Sequence, residues 1–223
     1  GADELYCGVL SDEWAARFTS VASSNKREDA SANLRDFAEL RRAAEEAHAS
    51  GAQLNVTFNA LYSEEQRPLL LEELCKAVDA GADALIVADI AVILAVREAG
   101  FGVKLHVSTI GAAFNSDAIR FYEDLGASRV ILPRQLRVDE IASLAAGAGA
   151  MELEVFAKNE ACRNVDGYCT FLHISKALNE QLGRGFHAAV KRGESPGAGS
   201  SAPGQLEPAM FDRPCGVRCN VKS

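Results

Sequence analysis

No run of about 18 apolar residues occurs anywhere in the 223-residue chain, so no membrane-spanning helix is predicted. The first residues lack the basic, apolar and small-residue order of a signal peptide, and the compartment expected is therefore the cytoplasm. Cysteine is too sparse for a disulfide scaffold, six in the whole chain, and a reducing compartment favours thiols as metal ligands or as buried apolar residues. A glycine-rich phosphate loop, a nucleophile elbow and a His-Glu-x-x-His motif are all missing, so ordinary hydrolytic machinery is not expected. Positive charge is also in deficit, with 23 Lys and Arg against 31 Asp and Glu for a net −8, which excludes indiscriminate attraction to polyanions. The deficit is uneven. From Arg184 onward the basic residues Arg184, Lys191, Arg192, Arg213, Arg218 and Lys222 outnumber Glu194, Glu207 and Asp212, so the tail is either a solvated surface whose sign carries no meaning or the place of a local contact with phosphates or an anionic substrate.

What is present is a repeated junction. Gly51-Ala-Gln, Gly81-Ala-Asp, Gly126-Ala-Ser and Gly149-Ala-Met each precede an apolar stretch, and Gly100-Phe-Gly is a looser copy. A glycine that closes a helix, a short turn and then a strand is the grammar of a helix-to-strand loop. Gly1-Ala-Asp has the same form, so the chain opens at such a junction and earlier barrel elements are expected before it. Six strands follow, beginning near Glu4, Leu54, Ala84, Val103, Arg129 and Met151. Between them, Leu71, Leu74, Cys75 and Val78 recur at helical spacing and predict a helix with Cys75 in the core. Leu34, Phe37, Ala38, Ala44 and Ala47 predict another, Ser116 is a candidate N-cap for 117–125, and 138–146 reads as one more.

Strands and helices alternating in this way predict an α/β fold with a parallel sheet, either a barrel or an open doubly wound sheet. Side chains two apart on a strand share a face. Four strands carry a polar face: Glu4 and Tyr6; Asn55, Thr57 and Asn59; Lys104, His106 and Ser108; Glu152 and Glu154. An open doubly wound sheet is covered by helices on both sides and has no place for these groups, whereas a barrel has a lumen. The expectation is thus an incomplete parallel (β/α) TIM-like barrel over residues 1–160, its polar faces either lining a lumen or pairing internally. Residues 161–223 form a cysteine-bearing extension, with a Gly-, Ser-, Ala- and Pro-rich flexible linker over about 183–208.

Parallel barrels place their chemistry at the C-terminal ends of the strands. By that rule His106, Glu154 and Arg134 are candidate catalytic residues, with His106 either an acid or base oriented by Glu154 or a satisfied structural histidine. Tyr6, Asn59, Asp89, Ser108, Thr109 and Lys158 are candidate substrate-binding residues. The thiols form two groups, Cys162 with Cys169 and Cys215 with Cys219, close enough in sequence to suggest one shared site. Zinc sites usually space paired ligands by two to four residues, and the first pair is wider than that. A 4Fe-4S cluster tolerates varied spacing and needs four thiolates; zinc and a metal-free site remain the alternatives. Cys7 reads as a packed loop thiol.

Several segments together resemble the collagenase-like peptidase family U32. They are the opening Gly-Ala-Asp-Glu-Leu-Tyr-Cys-Gly, the stretch from Asn55 to Leu61, the stretch from Ala82 to Asp89, His106-Val-Ser-Thr, the run from Asn115 to Arg134, and Glu152-Leu-Glu-Val-Phe. The cysteine spacings match the family pattern as well. The resemblance implies a barrel related to the eight-stranded type and a 4Fe-4S cluster on the four cysteines. It also implies an oxygen-independent hydroxylation role on tRNA, ribosomal RNA or a small aromatic quinone precursor, with a second family member as a candidate partner. A protease and a non-catalytic scaffold are the rival readings. The chain departs from the family's usual residues at Ile110 (Gln), Gln135 (Glu), Lys158 (His) and Tyr168 (Arg).

Overall fold

The computed structural model describes residues 1–18, 24–26 and 32–158. The extension 161–223, with its linker and all four paired cysteines, lies outside the described residues. Six strands, β1 (Glu4–Cys7), β2 (Gln53–Phe58), β3 (Ala84–Val87), β4 (Lys104–Val107), β5 (Arg129–Ile131) and β6 (Glu152–Glu154), pair in chain order as one parallel sheet. Between them run α1 (Asp12–Phe18), α2 (Phe37–Ala49), α3 (Arg67–Asp79), α4 (Ile90–Ala99), α5 (Ser116–Asp124) and α6 (Val138–Gly147). A sheet whose spatial order equals its chain order repeats one crossover in one sense, so the strands curl into part of a barrel instead of winding both ways.

The repeated glycine junctions are the joints of this frame. Gly51, Gly81 and Gly126 have φ of 76°, 102° and 90°, a region that costs other residues steric strain. The amide after each glycine then reaches back to the last helical turn: Ala52 N to Ala47 O at 2.9 Å, Ala82 N to Ala77 O at 3.2 Å, Ala127 N to Tyr122 O at 3.0 Å. These bonds are the long arm of a Schellman motif, and they satisfy carbonyls that the helix end would leave bare. The next residue enters the sheet, as Asp83 N does on Leu54 O at 2.9 Å and Ser128 N on Leu105 O at 2.9 Å.

Strand parity sorts the residues as the alternation predicts. Leu54, Val56 and Phe58 of β2, Leu85 and Val87 of β3, Leu105 and Val107 of β4 and Val130 of β5 all enter the core shared with the helices. The opposite, concave face receives Asn55, Thr57 and His106, all buried. The helices follow sequence expectation with local differences. Helix α2 starts at Phe37 behind an Asp36 cap, and Leu34 instead bridges to Val9. Asn115, not Ser116, caps α5, accepting the Ala118 amide at 2.9 Å. Helix α3 buries Leu70, Glu73, Leu74 and Ala77, a stripe turned by one residue from the one expected. Cys75 is therefore half-buried, and the buried stripe carries a carboxylic acid, Glu73.

Candidate active site

Arg129 is the centre of the concave face. It is the first residue of β5, so its side chain lies on the same face as His106, its register partner on β4, and Glu152, its partner on β6. Its guanidinium donates to Glu4 Oε2 and Oε1 at 2.6 and 2.8 Å, to Glu152 Oε2 at 2.7 and 2.9 Å, and to Glu154 Oε2 at 3.2 Å. The planar fork suits this, since its five N–H groups meet carboxylates in pairs. Glu4 stands on β1, four strand spacings from β5. At about 4.8 Å per spacing a flat sheet would hold the two strands roughly 19 Å apart, beyond the joint reach of an arginine and a glutamate. The contact therefore requires the sheet to curl, and it ties both ends of the curl together.

The cluster sets the charge states around it. Hydrogen bonding to Arg129 holds the Glu4 carboxyl at a pKa of about 2, and the same contact depresses Glu152. His106 is 2% exposed, and burial, aided by the Arg129 charge, lowers its pKa from 6.5 to about 4. It is a neutral imidazole at pH 7, fit to accept or donate a hydrogen bond but not to carry charge. Its Nδ1 is buried with no hydrogen-bond partner among the described residues. Asn55, 4% exposed, donates its Nδ2 to Glu4 Oε2 at 2.8 Å and leaves its buried Oδ1 likewise without a partner.

The residues expected at the strand ends do not form one constellation. His106 and Glu154 share the concave face, but no hydrogen bond joins them among the described residues, because Glu154 gives its carboxylate to Arg129. Asn59 donates to Ser108 Oγ at 3.2 Å across the end of β3 and accepts the Lys26 amide at 3.0 Å. Asp89 caps α4 through Ala91 N at 2.9 Å and holds Tyr62 N at 3.1 Å, so both its oxygens serve the backbone. Thr109 opens a 3₁₀ turn after β4, and Arg134 is half-buried in the loop after β5. Tyr6 is 60% exposed on the edge strand, and Lys158 is exposed beyond β6.

Arg129, Glu4, Glu152 and Asn55 were not among the sequence candidates for the site. Parity was the available signal, since Arg129 stands two residues before Ile131 and level with His106. Among the described residues no group of three His, Cys, Asp or Glu side chains is placed to hold a metal ion. No described helix is long and apolar enough to cross a membrane.

Comparison with known proteins places this geometry. Residues 1–188 match the model of peptidase family U32. The chain is 32% identical over 169 residues to tRNA hydroxylation protein P of Haemophilus influenzae, covering 76% of this chain and 34% of that protein. It is 28% identical over 158 residues to the 23S rRNA 5-hydroxycytidine C2501 synthase of Escherichia coli, covering 70% of this chain and 23% of that one. A collagenase of Porphyromonas gingivalis is 27% identical over 202 residues, covering 86% and 44%. The chain thus spans about a third of the length of the first of these relatives and less than half of the others. A solved structure of the U32 peptidase Mk0906 superposes with a TM-score of 0.50 at 14% identity, covering 95% of this chain and 91% of that one, a likeness of fold. With its parallel curled sheet and a family match over most of its length, the chain belongs to peptidase family U32.

Proposed function

We propose that this protein supports oxygen-independent hydroxylation of an RNA base, with a 4Fe-4S cluster held by Cys162, Cys169, Cys215 and Cys219 and zinc as the alternative metal. The observation that carries the RNA reading is its similarity to the two RNA hydroxylation proteins over most of this chain. The polar character of the concave face supports it, with a neutral, buried His106 beside a fixed Arg129–carboxylate cluster. Four thiols that follow the barrel region in sequence support the cluster, which would supply electron transfer when bound. The cytoplasm, where RNA substrates lie, is the compartment assigned, and a second family member is a candidate partner.

Deletion of the protein followed by mass spectrometry of nucleosides from tRNA and ribosomal RNA tests this reading. Loss of a hydroxylated nucleoside, restored by the wild-type chain and not by Cys162→Ser, is expected. An unchanged nucleoside profile would overturn it in favour of a small aromatic substrate or a scaffold role. The collagenase relative keeps a protease reading in the comparison, and cleavage of gelatin by pure protein carrying Cys162→Ser and Cys215→Ser would establish that instead.

A further inference from the structure

Residues 24–26, Ser-Asn-Lys, are fastened to the C-terminal end of the concave face. The registers Thr57↔Ile86 and Ile86↔His106 put Thr57, Ile86 and His106 in one inward-facing layer. Asn59, Ala88 and Ser108, each two residues further on, form the next layer toward the strand ends. Ser108 is still part of the ladder, donating its amide to Val87 O at 2.7 Å. Asn59 and Ser108 stand two strand spacings apart, roughly 10 Å between backbones, and their side chains meet at 3.2 Å in front of β3. The Lys26 amide donates to Asn59 Oδ1 at 3.0 Å, so the segment joins the layer that separates His106 from the strand ends.

The seating is close and polar. Ser24 Oγ donates to Val9 O at 3.0 Å, Asn25 Nδ2 donates to the same carbonyl at 3.3 Å and to Asn33 Oδ1 at 2.8 Å, and Tyr62 OH donates to Ser24 O. Ser24 and Asn25 are buried as a result. Gly8 makes the room: a Cβ there would stand 2.7 Å from Asn25 Nδ2 and closer still to Asn33 Oδ1. Its φ is not positive, so the close approach of the segment, and not the backbone, calls for glycine. Ser, Asn and Lys bring no apolar side chain to the core, so hydrogen bonds hold these three residues. A segment held without buried apolar side chains opens at a lower free energy than the sheet beneath it.

We propose that residues 24–26 form a latch: seated on Val9, Asn59 and Tyr62 they keep His106 from solvent, and their local release, with the sheet intact, opens the way from the strand ends to His106. Asn59 and Tyr62 hold the latch, and Gly8 gives it space. The latch deepens the functional reading above by naming how the concave face is reached, and it rests on that reading only for the identity of what enters.

Two measurements on the full chain test it: amide hydrogen exchange by NMR, and modification of histidines by diethyl pyrocarbonate, located by peptide mass spectrometry. The reagent acylates neutral imidazoles, the form His106 holds at pH 7. In the wild type the Lys26 amide should exchange at least tenfold faster than the β2 amides, and His106 should react more slowly than the half-exposed His48. Tyr62→Phe keeps the ring beside Trp14 and removes the bond to Ser24 O, and Gly8→Ala wedges Asn25 out of its seat. Each should speed both Lys26 exchange and His106 modification about tenfold, the loss of roughly one hydrogen bond, with β2 and His48 unchanged. Thermal unfolding reports whether each variant folds, and the wild-type order of rates decides where one does not. Lys26 exchanging no faster than β2, Lys26 unmoved by either folded variant, or faster Lys26 exchange with His106 unmoved would each overturn the latch. No RNA enters these measurements, so their failure leaves the RNA reading to the nucleoside profile, and an unchanged profile leaves the latch in place.

Discussion

Arg129 and Glu4 are 125 residues apart in sequence and four strands apart in the sheet, yet two hydrogen bonds of 2.6 and 2.8 Å join them across the concave face. Glu152 and Glu154 share the same guanidinium, so three carboxylates depend on one cation whose side chain is only 16% exposed.

Arg129→Met should therefore destabilise the protein by about 2 kcal/mol, since it leaves several charge-assisted bonds unmade and three carboxylates crowded together. Arg129→Lys should recover little of this, because a point charge cannot reach three partners as the fork does. Glu152→Gln, at the exposed rim, should cost less than 1 kcal/mol, as exposed pairs do. Urea unfolding of the three variants at neutral pH checks the ranking, and an Arg129→Met midpoint equal to wild type would remove the cluster from any account of stability.

Stability should fall over two successive, slightly overlapping pH windows. His106 has a folded pKa of about 4 against an ordinary 6.5, so the unfolded chain binds the extra proton between those values. Stability is then full above about 6.5 and declines as pH falls toward 4, by roughly 3 kcal/mol for a shift of this size. Glu4, with a folded pKa of about 2 against 4.5, acts lower, its contribution being present above 4.5 and lost toward 2. Urea midpoints measured from pH 7.5 to 3 should show the first slope, and His106→Gln should flatten it between pH 6.5 and 4 while the part below 4.5 persists.

Glu73 should behave in the opposite sense. It is fully buried in α3, accepts a hydrogen bond from Ser11 through Oε1 and leaves Oε2 without a hydrogen-bond partner among the described residues; burial raises its pKa above 4.5. A raised folded pKa means that its stability contribution is present below 4.5 and lost as pH rises through the folded value. Glu73→Gln, which keeps the Ser11 bond without a charge to bury, is expected to raise stability by about 1 kcal/mol at pH 8. At pH 4 it should change little. Thermal unfolding at the two pH values reads the difference, and equal effects at both would show that Glu73 is not titrating.

Anaerobically purified protein should be brown and hold about four irons with matching sulfide, as one 4Fe-4S cluster requires. Replacing Cys162, Cys169, Cys215 or Cys219 by Ser should lower the iron content, while Cys7→Ser and Cys75→Ser should not, since those two thiols are half-buried elsewhere in the barrel region. Zinc without sulfide would replace the cluster in the proposed function.

The curled parallel architecture was legible in the chain because its causes are local. Glycines at positive φ after each helix dictate the turns, and a period of two on each strand dictates which side chains face inward, so the polar set Asn55, Thr57 and His106 could be placed on one face before any contact was known. Which inward groups pair is not a local property. An arginine that opens a short strand carries no mark of a glutamate 125 residues earlier; the curl of the sheet brings them together and leaves Glu154 on Arg129 rather than beside His106. The same limit applied to α3, where apolar spacing allowed two stripes one residue apart. The stripe that forms buries Glu73, whose carboxyl accepts a hydrogen bond from Ser11 in the loop between β1 and α1, a partner that helical spacing does not reveal.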